Sequence, residues 1–142
     1  MASIVLYNSF KKDLLDGNID LSADTIKVML TTSSYTPNID SHTKRSDVTN
    51  EVSGTGYTSG GATLANKSLT QDNTNDKAVF DADDVSWASS TITARYGVIY
   101  KSRGGASSAD ELIGYIDFGS NITSSSTTLT IAWNSSGILS LN

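Results

Sequence analysis

Thr91-Ile-Thr-Ala-Arg-Tyr-Gly-Val-Ile-Tyr-Lys101 alternates with a period of two: Ile92, Ala94, Tyr96, Val98 and Tyr100 fall on one side, Thr93, Arg95, Gly97 and Ile99 on the other. Successive side chains of a strand point to opposite faces, so this pattern predicts a half-buried β-strand. Asp24–Thr31 repeats it, with Ile26, Val28 and Leu30 set against Thr25, Lys27 and Met29. Working outward, strand-like runs occur at 62–70, 78–80, 85–87, 112–118, 124–133 and 137–141. Turn signals separate them: Asn73–Asp76, the acidic corner Asp81–Asp84 and the Gly-rich stretch Arg103–Ala109. Short strands punctuated this way predict a mainly β fold, an antiparallel β-sandwich of jelly-roll-like character. Its expected core is Ile26, Val28, Leu30, Phe80, Trp87, Ile92, Tyr96, Val98, Ile116, Phe118, Leu129, Ile131 and Trp133.

Before the first strand the period is different. Tyr7, Phe10 and Leu14 recur at i, i+3 and i+7, with Leu15 widening the stripe, and Gly17-Asn18 supplies a stop. This predicts one short N-terminal helix over about residues 4–16, packed on the sandwich. No linker divides the chain, so residues 1–142 read as a single domain.

The composition is poor in reactive side chains. Of the 142 residues 40 are Ser or Thr, while there is no Cys, one His (His42) and one Pro (Pro37). Hydroxyls at that density suit pleated surfaces with one wet face, and they become nucleophiles only when a base activates them. The net charge of −5 and scattered basic residues argue against nucleic acid, which needs clustered Lys and Arg. No segment approaches the ~18 apolar residues of a membrane span, and the first residues lack the pattern of a signal peptide. The absence of thiols fits a chain made in a reducing cytosol.

Each chemically suggestive motif has a plainer explanation. His42, with Asp40 and Asp47 nearby, reads as a solvated loop imidazole, because no nucleophile elbow accompanies it. Gly54-Thr-Gly-Tyr-Thr-Ser-Gly-Gly61 misses the third Gly of a dinucleotide loop and the Lys of a phosphate loop. Asp72–Asp84 offers oxygen ligands for Ca²⁺, but Lys77 and Asp83 occupy positions where an EF-hand needs Gly and Glu. Trp87 and Trp133 sit within alternating strands, where core packing outweighs sugar stacking. The expectation is therefore no catalytic site, no metal and no cofactor.

The connection 32–61 is too long for an ordinary turn, and such loops carry contacts or move. It displays Tyr35, Ile39, Val48, Val52 and Tyr57 without strand alternation, which makes these five the candidate contact residues for a partner. The alternative is that the loop folds back and closes its own sandwich.

Four separated blocks resemble one family. Asp24-Thr-Ile-Lys-Val-Met-Leu-Thr-Thr-Ser-Ser-Tyr-Thr-Pro-Asn-Ile-Asp40 and Asp47-Val-Thr-Asn-Glu-Val-Ser-Gly-Thr-Gly-Tyr57 are similar to small structural proteins of tailed bacteriophages. So are Ile92–Lys101 and Leu112–Gly119. The resemblance implies a virion protein, assembled in the host cytoplasm, that decorates and cements the capsid. Its implied partners are the major capsid protein and further copies of itself, acting as a homo-oligomeric clamp. A tail or tail-tip structural or receptor-binding module is the alternative placement. The family brings no catalytic residues.

Overall fold

The computed structural model describes residues 3–142. Among these residues eight strands form two antiparallel sheets. In chain order these are β1 (Val5–Leu6), β2 (Ile26–Thr31), β3 (Ala62–Thr63), β4 (Ser68–Asp72), β5 (Lys77–Asp81), β6 (Val85–Lys101), β7 (Leu112–Ile131) and β8 (Leu139–Leu141). One helix, α1 (Asn8–Leu15), follows β1, and single 3-10 turns occupy Arg45–Asp47 and Ser107–Ala109. The larger sheet has the order β1-β7-β6-β2-β3 and the smaller β4-β5-β8. The expected antiparallel sandwich with one short N-terminal helix is the fold of this chain.

The main core lies between the sheets. Ile26, Val28, Leu30, Ile99 and Ile131 from the large sheet meet Phe80 and Leu139 from the small one, with Phe10, Ile19 and Leu21 closing one end. Of the residues expected inside, all are buried except Tyr96 and Phe118, which are half-buried. Trp87 and Trp133 are core residues, and Trp133 Nε1 donates to the Asp83 carbonyl at 2.9 Å.

Three expectations need correction. The helix is shorter than 4–16, because Val5 and Leu6 pair with Tyr115 and Gly114 in β7 instead of winding. Leu15 does not widen the buried stripe; it is 87% exposed. The segments 85–87 and 91–101 are one strand, as are 112–118 and 124–131, so β6 and β7 form a single long hairpin. β-Bulges carry the ladder through the apparent breaks, with Ser89 (φ 50), Gly119 (φ 82) and Ser126 (φ 49) supplying left-handed positions.

One of these irregularities also changes which face is which. Ala94 opposes Ile122 but Tyr96 opposes Asp117, so Arg95 stands against four residues of β7. Beyond that point the alternation of β6 is inverted. Ile92 and Ala94 face the main core, whereas Tyr96, Val98 and Tyr100 face the other side of the sheet. The run 91–101 thus serves both faces, and the large sheet is apolar on both.

Candidate interaction surface

The second face of the large sheet is covered by the long connection 32–61. Tyr35 packs there with Tyr7, Met29, Val98, Tyr100 and Leu112, and Ile39, Val48, Tyr96 and Tyr115 border the cluster. Val52 turns over the edge of β2 into the main core, its N–H bonded to the Leu30 carbonyl. Tyr57 follows it, accepting the Leu30 N–H at 2.9 Å and donating to Glu51 at 2.7 Å. Tyr35 and Val52 are 1% and 5% exposed, and Ile39, Val48 and Tyr57 are half-buried. The five candidate contact residues therefore close the chain's own sandwich. For Tyr35, Ile39 and Val48 the physical reason is the inverted alternation of β6, which leaves a second apolar face that something must cover, whereas Val52 and Tyr57 pack against the main core.

Polar bonds clasp this layer. Tyr7 and Tyr35 hydroxyls lie 2.8 Å apart, and Tyr35 reaches His42 Nδ1 at 2.9 Å. His42 also stacks on the Tyr35 ring, so it is a structural partner and not the solvated imidazole its sequence context implied. Arg45 pairs with the buried Asp110 at 2.7 Å and lies over the Tyr100 ring. Lys44 and Arg103 pair with Glu111 at 3.4 and 2.8 Å. Tyr100 donates to the Gly60 carbonyl at 2.5 Å, and burial pushes its hydroxyl up to about 12.

These carboxylates tie the layer to pH. Backbone N–H groups of Thr43 and Lys44 hold the Asp47 carboxyl below the ordinary range. Burial pushes Glu111 up, but bonds from Arg103 and the charge of Lys44 outweigh it and leave it lowered. A carboxyl with a folded value below its unfolded one stabilises fully above the unfolded value and loses that contribution as pH falls through the folded one. The melting temperature should therefore be level above about pH 5 and fall steeply between about pH 4 and pH 2. Thermal melts followed by circular dichroism across that range measure it; a level profile down to pH 2 would contradict the clasp.

The other motifs resolve into turns. Asp72 accepts the N–H groups of Thr74 and Asn75, capping the β4–β5 hairpin, while Asp84 accepts the Trp133 N–H. Among the described residues no group of three or more His, Cys, Asp and Glu is placed to hold a metal ion. Gly54, Gly56 and Gly61 are positions of close backbone approach: a Cβ on each would lie 2.5, 2.8 and 1.9 Å from Thr91, Ser90 and Val28. The Gly-rich stretch is thus fitted against β6 and β2.

Exposed large apolar side chains are found instead on the small sheet. Paired residues of an antiparallel sheet share a face, and in the small sheet Leu69 pairs with Phe80 and Phe80 with Leu139. One step on, Gln71 pairs with Ala78 and Ala78 with Leu141. This face is sealed over the core at Phe80 and Leu139 but open at its margins, where Leu69 on β4 is 52% and Leu141 on β8 58% exposed. Leu14, Ile19 and Leu21 form the opposite wall of a groove of about 420 Å³. Asp20 sits at its rim, and Asp72, Asp76 and Lys77 line the adjoining surface. Sequence reading missed this site because its walls come from α1, the turn after it, β4, β5 and β8, none of which stands out alone.

No family model matches the chain, and no curated protein and no solved structure matches it either.

Proposed function

We propose that this chain is a virion structural protein of a tailed bacteriophage, a capsid decoration protein that binds and cements the head shell without catalysis or cofactor. The observation that carries the reading is the open apolar margin of the small sheet. Exposed large apolar side chains are few, and Leu69 and Leu141 together line one groove there. A folded domain gains nothing by leaving them in water, and a protein partner that covers them gains ~25 cal/mol per Å² before association costs. The resemblance of four sequence blocks to phage structural proteins supports the major capsid protein as that partner. Many copies meeting a repeating shell turn a modest single contact into firm attachment.

The groove makes the reading testable. Leu69→Asp with Leu141→Asp places two carboxylates at exposed positions, so the fold should hold within about 1 kcal/mol. Cosedimentation with purified shells should fall at least tenfold, since an interface centre tolerates no unpaired charge. Unchanged occupancy by the double variant would remove the groove from the interface.

A further inference from the structure

The groove is bordered by a strand edge that nothing covers. β4 pairs with β5 through five consecutive residues without a bulge, and β5 is its sole neighbour in the sheet. Among the described residues no backbone bond outside the ladders involves Ser68–Asp72. The strand is exposed along nearly its whole length and has neither Pro nor a charge between Ser68 and Gln71. Proteins ordinarily protect such an edge with one of these devices, because its free N–H and C=O groups accept another strand. Here the free edge and the apolar groove are contiguous, with Leu69 belonging to both.

We propose that β4 receives an extended segment of the partner as an added antiparallel or parallel strand, with every second side chain of that segment entering the groove. The main chain would bond to Ser68–Asp72, and the inward side chains would lie beside Leu69 against Leu14, Ile19 and Leu21. An added strand has a period of two, so the groove selects apolar residues at alternate positions. The charged groups around the mouth are Asp20, Asp72, Asp76 and Lys77, with Lys67 just before β4 acting on Asp20; three carboxylates against two ammonium groups leave the rim net acidic, on a chain of net charge −5. The fitting segment is therefore extended, apolar at alternate positions and basic at its ends. A second copy fits less well, since it would bring like-charged rims together. The inference rests on the shell-binding reading only for the source of the segment.

Synthetic peptides test it on the full chain without shells. The first alternates Val and Ile with Thr and ends in Lys; the second has the same composition with its apolar residues contiguous; the third alternates but ends in Glu. Amide exchange and backbone chemical shifts locate binding. The alternating basic peptide should slow exchange at Ser68–Asp72 at least tenfold and shift Leu69 and Leu141. The other two should bind at least tenfold more weakly, and Leu69→Lys should abolish the difference. Equal binding of all three, no binding of the first, or protection away from β4 overturns the inference. Protection of Ser68–Asp72 that rises with protein concentration in the absence of peptide also overturns it, by assigning the edge to a second copy. Shell binding measured in parallel separates the two claims. A chain that binds shells but no peptide loses the strand-addition inference alone, and one that binds peptide but no shells loses the shell-binding reading.

Discussion

Gly61→Ala should be among the most damaging single substitutions in this chain. Gly61 has φ +78, and a Cβ there would lie 1.9 Å from the Val28 carbonyl oxygen and 2.7 Å from the Met29 Cα. The left-handed backbone alone costs an L-residue about 1–2 kcal/mol. The clash is with the backbone of a central strand, so neither partner yields by rotating a side chain. The connection must lift off β2, which loosens the adjoining Tyr100 bond to Gly60 and the Leu64 N–H bond to Ile26. A loss of about 4 kcal/mol or more is expected, a large share of the stability of a domain of this size. That corresponds to a fall in melting temperature of at least about 12 °C. Gly104→Ala is the control: φ is +81 there, but nothing lies within 4 Å, so only the conformational cost applies. Equal effects at the two sites would show that residues 54–61 are not fitted against the sheet.

Arg45→Ala should come next. Asp110 is 1% exposed, and its side chain depends on the Arg45 guanidinium at 2.7 Å and the Arg103 N–H at 2.8 Å. Removing the guanidinium strands a buried carboxylate, which costs about 3–5 kcal/mol. The substitution also takes the cation from the Tyr100 ring. Arg45→Ala with Asp110→Ala should recover part of the loss, because no charge is then left unpaired. Urea unfolding of the two variants measures this; a double variant no more stable than the single one would mean that the arginine acts through packing alone.

How much of this was legible beforehand depends on whether a feature is local. The alternation in 26–30 and 91–101 is local, and it led correctly to an antiparallel sandwich with Trp87 and Trp133 inside. The bulge at Arg95 is set by the partner strand, where Phe118–Asn121 oppose one residue, and no pattern within 91–101 records it. From that one irregularity follow the second apolar face, the need for a covering layer, and the burial of Tyr35; Val52 is buried separately, in the main core. Apolar residues without strand alternation looked like an adhesive loop, yet absence of alternation also describes a segment lying flat across a sheet. Leu69 and Leu141 carried no signal of their own. Each belongs to a short strand, and their position on the two outer strands of the small sheet, β4 and β8, leaves them in water. The groove and its free edge are properties of five assembled elements, so they could not be read from any one of them.

The claim that this chain cements a phage head is tested most directly by counting it in purified particles. Quantitative mass spectrometry of intact virions should find it in a fixed ratio to the major capsid protein, set by the repeat of the shell. Particles lacking it should keep their tails and lose resistance to heat or low salt. A ratio that instead matches the few copies of a tail component, with head stability unchanged on its removal, would contradict the account and place the groove on the tail.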